Sequence, residues 1–253
     1  MNDSQRFVAQ HYRDFLSREP DASGSQFFTN QIEQCGADAA CREVKRVNVS
    51  AAFFRSVEFG DVGFLVYRFH KTAFGNVAGT PVPVRFEQFL QDIQRIGGGV
   101  IPSHAGWEER LEQNKQAYAL GFVQRPEFVG LYPAGMSAAN FVDALFANAG
   151  VPPTAAERQA AVSALGSGDA ASRAAALRSV VESEGLQKAE RNRASVLSAY
   201  FGYLRRNPND APDEDFSGYE SRLAQLDGDA ENKEAEMIKS FLDSDEYRQR
   251  LGD

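Results

Sequence analysis

Tryptophan, cysteine and histidine are almost missing from this sequence: one, two and three among 253 residues. The histidines, His11, His70 and His104, stand far apart and form no His-x-x-x-His pair, and the cysteines form no Cys-x-x-Cys. The spacings that build a zinc site are therefore absent. Basic residues are also scarce, with 27 Lys and Arg against 35 Asp and Glu and a net charge of -8. No basic run reaches five residues, and the acidic balance argues against phosphate-backbone binding and against docking on anionic lipid. No apolar stretch approaches the ~18 residues a spanning helix needs, so no membrane insertion is expected. Val62 to Tyr67 is among the longest and is broken by Gly63. The N-terminal Met1 to Arg6 is polar and lacks a signal peptide's apolar segment. The expectation is a chain that is cytoplasmic as it stands or a mature segment of a longer exported protein. Strand-like alternation is missing throughout, which leaves an all-α fold.

What is present is aromatic and periodic. There are 19 Phe and 8 Tyr, most of them at helical spacing, and core packing accounts for them better than a ligand platform. Val8, Tyr12, Phe15 and Leu16 form one helical face, which should stop before Pro20. Pro20 to Gly24 reads as a turn, and Phe27, Phe28 and Ile32 mark a second helix. Val44, Val47, Ala51 and Phe54 predict the stripe of a third. Ser56-Val57-Glu58-Phe59 then closes the segment: Ser56 caps, Glu58 sits in a first helical turn, and Phe59 anchors into the core.

The scheme recurs three times. A second repeat carries Tyr67-Arg68 where the first has Tyr12-Arg13, runs through Phe86, Phe89, Leu90 and Ile93 to Gly97-Gly98-Gly99, and closes at Arg125-Pro126-Glu127-Phe128. A third, alanine-rich repeat opens at Ser137, carries a capping box at Thr154 and Glu157, and closes at Ser183-Glu184-Gly185-Leu186. A fourth runs from Arg193 through Asn207-Pro208 to Ser244-Asp245-Glu246-Tyr247. The closing tetrads begin at 56, 125, 183 and 244, gaps of 69, 58 and 61 residues. Near-even recurrence marks a repeated supersecondary unit, and such units stack because none buries its apolar face alone. About four degenerate three-helix repeats are expected in two pairs, residues 1–135 and 136–253, packed as a helical bundle or short solenoid.

Cys35 and Cys41 lie six positions apart in a stretch read as a loop. A pair that close can reach disulfide geometry across a bend. A disulfide would point to an oxidising compartment; the other reading is two free thiols on a surface loop.

Phe7-Val-Ala-Gln-His-Tyr-Arg-Asp-Phe-Leu-Ser-Arg-Glu-Pro-Asp21 with Gly24 and Ser56-Val-Glu-Phe59 resembles the bacterial module known as domain of unknown function 4214. Arg206-Asn-Pro208 with Gly218 and Ser244-Asp-Glu-Tyr247 resembles it again. Tyr67-Arg68 and Phe74-Gly75 also look like phycobilisome linker domains, to which that module is similar. The likeness implies a helical module embedded in exported or surface proteins, and no catalytic residue. Phe28 departs from the Trp or Tyr the family often has.

No residue pattern demands chemistry. His11 and His70 fall within first helices, where a partly buried helix residue is the ordinary reading. A thiol nucleophile at Cys35 has only its residue type to support it. Asp210, Asp213, Glu214 and Asp215 form the densest acidic cluster, but its spacing fails a calcium loop and Pro212 interrupts it. A solvated turn with caps is the plainer reading. Glycoside hydrolysis needs two carboxylates facing across a cleft, which spacing alone does not establish. No catalytic, cofactor-binding or metal-binding residue is assigned. The leading expectation is a non-enzymatic module for protein interaction or surface scaffolding, exported or at the cell surface, with a cytoplasmic location the alternative. A glycan- or calcium-binding surface module is second, and an enzyme with a cleft between repeat pairs third.

Overall fold

The computed structural model describes residues 3–102, 104–228 and 231–251. Met1 and Asn2 of the polar N-terminal segment lie outside them. Every regular element among the described residues is helical. In chain order they are α1 (Ser4–Leu16), α2 (Ala22–Glu33), α3 (Ala39–Phe54), a π-helical turn (Val57–Asp61), α4 (Val62–Phe74), α5 (Phe86–Gly97), α6 (Trp107–Phe122) and α7 (Pro126–Leu131). There follow α8 (Ala138–Ala149), α9 (Ala155–Leu165), α10 (Ala170–Val181), α11 (Glu184–Ala199), a second π-helical turn (Tyr200–Leu204), α12 (Ser217–Asp227), α13 (Lys233–Leu242) and α14 (Asp245–Leu251).

Short polar side chains start these helices. Asp3, Asp21, Asp38, Ser137 and Asp169 each accept a hydrogen bond from a backbone N–H of the first turn. Each satisfies a donor the helix cannot. Thr154 and Glu157 form the expected reciprocal capping box. The Pro20–Gly24 segment is less of a turn than its composition suggests, because Asp21 caps α2 and Gly24 lies inside it. Likewise Cys41 sits in the first turn of α3, outside the expected loop.

The chain forms two compact units, and their bounds do not follow the expected division at 135/136. A split unit joins residues 1–61 to 195–253, and an inserted unit spans 62–194. Residues 1–61 thus share a core with residues 195–253, and residues 62–194 form the other. A solenoid packs each repeat on its sequence neighbour; here the pairing is nested.

In the split unit, α1 packs on α2, α3 and both π-helical turns, and α13 packs on α3, α12, α14 and the second π-helical turn. Aromatic rings fill the middle: Phe15 meets Phe59 and Tyr203 edge-on, each at 4.9 Å between centroids. The core face of α3 is Val49, Ser50, Phe53 and Phe54. Of the predicted stripe only Phe54 is buried, and Val44 is 59% exposed. Phe27 is likewise 60% exposed, leaving Thr29 and Ile32 as the buried residues of α2. In both helices 3- and 4-residue spacing fits two faces, and the aromatics of α1 select the one they can cover.

In the inserted unit, α10 packs against α4, α6, α8 and α9. Its buried Ala174 and Ala176 allow that close approach. The end of α4 is tied down by side chains: Tyr132 Oη and Asn148 Nδ2 both donate to the Ala73 carbonyl, at 2.7 and 2.9 Å. Arg173 in turn donates to the Tyr132 and Pro133 carbonyls, fixing the link between α7 and α8.

Candidate functional site

Three places hold the chemistry-bearing side chains. In the split unit, α1 brings His11 to Ser50 of α3 and to Tyr203. His11 Nδ1 lies 2.9 Å from the Phe7 carbonyl and Nε2 lies 2.9 Å from Ser50 Oγ, which lies 2.6 Å from Tyr203 Oη. A carbonyl only accepts, so Nδ1 carries the proton and Nε2 accepts from Ser50. Ser50 has then spent its hydrogen and accepts from Tyr203. The chain of donors is complete with a neutral imidazole.

This serine–histidine pair has the reach of a nucleophile and its base, but not the setting. His11, Ser50 and Tyr203 are all fully buried. Rings of Phe7, Phe15, Phe53, Tyr203 and Tyr247 surround the imidazole at 4.2–6.4 Å. Burial lowers the His11 pKa to about 4, and Tyr203 Oη takes one of the two acceptor positions of the Ser50 oxygen. The group is a polar rivet through an aromatic core.

In the inserted unit, Asp92 of α5 is completely buried. His70 Nε2 lies 2.8 Å from it, Tyr118 Oη donates at 2.9 Å and Arg125 Nη2 at 2.6 Å, with Arg95 Nη1 at 3.4 Å. Burial pushes the carboxyl pKa up, but the hydrogen bonds from His70 and Arg125 outweigh it and hold the value at about 2. Burial also lowers the His70 pKa, so a neutral imidazole donates to the carboxylate. Arg125 stacks over Phe122 at 4.3 Å. A cavity of about 380 Å³ opens beside Tyr118, Phe122 and Arg125. Arg125 is thus more than the first residue of a closing tetrad, and nothing in the spacing points to Asp92.

The third place is a groove in the split unit. It has a volume of about 550 Å³ and runs between α3 and the α13–α14 corner. From α3 it takes Ala39, Arg42, Glu43, Arg46 and Val47, positions that share one helical face. The opposite wall holds Lys239, Leu242, Asp243 and Arg248, and Phe7 and Tyr247 also line it.

The repeat-closing residues have definite roles. Phe59, Phe128, Leu186 and Tyr247, the fourth residues of the tetrads, are all buried. Ser56 Oγ accepts from the Phe59 N–H and Ser244 Oγ from the Tyr247 N–H, each at 3.2 Å. Glu58 and Glu246 do more than favour a helix dipole, since each binds an arginine: Arg18 at 3.1 Å and Arg206 at 2.6 Å. Glu127 is exposed, and Ser183 is buried ahead of α11. Tyr12 stacks on Arg18 at 4.9 Å, while its neighbour Arg13 pairs with exposed Glu19. Tyr67 Oη donates to Glu190.

The acidic cluster is engaged in its own turn. Asp213 binds Arg206, Asp210 accepts from Asn207, and Asp215 accepts from Ser217. Among the described residues no group of three or more His, Cys, Asp or Glu is placed to hold a metal ion. His104 is exposed. Cys35 and Cys41 are joined in a disulfide with their Cα atoms 5.6 Å apart. No described helix is long and apolar enough to cross a membrane.

Neither a family model, nor a curated protein, nor a solved structure matches the chain. What it can do rests on its own residues: an all-helical protein with two internally saturated polar clusters and an open, charged groove.

Proposed function

We propose that this chain is a non-enzymatic helical module that binds other proteins, part of a scaffold on exported or cell-surface bacterial proteins. The likeness of its first and last repeats to domain of unknown function 4214 suggests that setting. One observation carries the reading: the groups best suited to chemistry are used up internally. His11 and Ser50 satisfy each other beneath five aromatic rings, and the buried Asp92 is held by His70, Tyr118 and Arg125. The Cys35–Cys41 bond supports an oxidising compartment.

Cross-linking mass spectrometry on the intact protein in bacterial lysate and surface fractions, run beside turnover screens on esters, peptides and glycosides, tests the proposal. Reproducible, saturable partner cross-links with no turnover are expected. Turnover that disappears in Ser50→Ala would overturn it.

A further inference from the structure

The hydrogen bonds that saturate Asp92 leave one cation over. Its Oδ2 is taken by His70 and Tyr118 and its Oδ1 by Arg125 at 2.6 Å, so Arg95 reaches Oδ1 only at 3.4 Å. One carboxylate thus faces two guanidiniums, beside a His70 that burial keeps neutral. Arg95 carries the surplus: its side chain is 60% exposed, and among the described residues Asp92 is its one ion-pair partner. Glu127, the other carboxylate near Arg125, is exposed, and among the described residues it pairs with neither arginine.

Both arginines line the cavity of about 380 Å³, a volume in the range of ligand sites. It is a trough along α6. Asn114, Ala117, Tyr118, Gly121 and Phe122 share one helical face and cover about 12 Å at 1.5 Å per residue, roughly three extended residues. The floor is low because Ala117 and Gly121, one turn apart, are small; a Cβ built on Gly121 meets no atom within 4 Å. A flat ring can lie there, against the aromatic sides of Tyr118 and Phe122. Asn114 spends Nδ2 on the Ile96 and Gly98 carbonyls, at 2.8 and 2.9 Å, which leaves Oδ1 as an acceptor. The trough therefore holds a cation with donors to spare, an apolar floor and one acceptor.

We propose that this trough captures the C-terminal carboxylate of a partner polypeptide ending in an aromatic residue. The carboxylate sits on the Arg95 guanidinium, whose fork of N–H groups matches it. The ring lies over Ala117 and Gly121, and a backbone N–H donates to Asn114 Oδ1. A peptide end brings the anion and the N–H together, and the length of the trough takes more than one residue. This rests on the reading of the chain as a protein-binding module and names the chemistry of one docking site.

The probes are the peptide acetyl-Ala-Ala-Phe with a free carboxylate, the same peptide as its C-terminal amide, and acetyl-Phe. Amide chemical-shift titrations of the full, nitrogen-15-labelled chain should show saturable shifts centred on residues 114–122 for the acid. The acid should bind about ten-fold or more tighter than the amide, which has the same shape without the charge. Arg95→Gln alters an exposed side chain and should weaken the acid about ten-fold with an unchanged melting temperature. Gly121→Leu projects a side chain into the open trough and takes a glycine out of a helix, so it should hold or raise the melting temperature while abolishing binding. Equal binding of acid and amide, no binding, or undiminished binding by either variant overturns the assignment. Acetyl-Phe binding as tightly as the tripeptide overturns the peptide source in favour of a free aromatic acid. The cross-linking survey described above detects a partner wherever it docks, so the two readings fail separately.

Discussion

Arg206 binds Glu246 through two nitrogens, Nε to Oε1 at 2.6 Å and Nη2 to Oε2 at 2.8 Å, and Arg18 binds Glu58 in the same two-pronged way at 3.1 and 3.3 Å. The partners are 40 residues apart in both pairs. Each arginine follows the opening helix of its repeat, and each glutamate belongs to the closing tetrad. Each latch ties the end of one helix to a closing tetrad 40 residues further on. It also stacks its arginine on the repeat's tyrosine, Arg18 on Tyr12 at 4.9 Å and Arg206 on Tyr200 at 5.5 Å.

The two latches should differ in strength. Arg206 is only 10% exposed and also donates to the Asn207, Pro208 and Asp210 carbonyls, whereas Arg18 is 28% exposed. Removing one partner of a buried pair strands the other charge. Glu246→Gln is expected to cost about 2 to 3 kcal/mol in urea unfolding, and Glu58→Gln about 1 kcal/mol, because Glu58 is only 13% exposed but its partner Arg18, 28% exposed, can turn its charge to water. Equal costs at the two sites would refute the ranking.

The latch shows how far the sequence could be read. The helical stripes, the capping box and the matched tetrads were legible because each depends on spacing within one helix. Phe59, Phe128, Leu186 and Tyr247 are buried as their repetition suggests. Which repeat would pair with which was not legible, since apolar faces are interchangeable until tertiary contacts choose among them. The same degeneracy placed Val44 on a core stripe that it does not join. The groove was illegible for another reason: its walls, with Arg42 and Glu43 on one side and Lys239 and Asp243 on the other, come from distant segments that meet only when α3 packs on α13.

Tyr12 and Gly24 give a second prediction. A Cβ on Gly24 would lie 2.0 Å from Tyr12 Oη, far inside contact distance, and a Cβ on Gly218 would lie 2.7 Å from Tyr200 Oη. Both repeats therefore use a glycine to seat a tyrosine hydroxyl against a helix. Gly24→Ala should destabilise by about 1 to 3 kcal/mol, the range for forcing atoms into a filled core. Tyr12→Phe removes the offending oxygen, so the double variant Tyr12→Phe, Gly24→Ala should recover part of that loss. A thermal melt of the four proteins decides it; no recovery in the double variant rules out the hydroxyl as the cause.

The disulfide should steady the rim of the groove. Cys41 lies in the first turn of α3, and Arg42 beside it donates to the Gly36 carbonyl and to Glu33. Bridging residues six positions apart stabilises by roughly 2 kcal/mol in the chain-entropy model. Cys35→Ser combined with Cys41→Ser should lose about that much in denaturant unfolding. It should leave the inserted unit's Trp107 fluorescence unchanged. Thiol titration of the denatured wild-type protein checks the premise: two reactive thiols without reductant would remove it.

His11 sets the response to acid. Burial lowers its pKa from 6.5 to about 4, with Asp14 and the Phe7 carbonyl opposing that shift. The unfolded chain therefore binds a proton near pH 6.5 that the folded chain refuses until about pH 4. Stability is complete above pH 6.5 and is lost as pH falls through that window, by about 2 to 3 kcal/mol at pH 4.5. His70, also lowered by burial, acts in the same direction. The carboxylates contribute only further down: Asp92, held at about 2, destabilises the fold below pH 3.8. Urea unfolding at pH 7.0, 6.0, 5.0 and 4.5 should thus show a decline that begins above the carboxylate range. His11→Gln should be less stable at pH 7 yet flatter across those points, because its amide does not titrate. A wild-type profile level from pH 7 to 4.5 would mean that His11 takes up its proton inside the fold, and the Ser50–His11–Phe7 hydrogen-bond chain would then have to be redrawn.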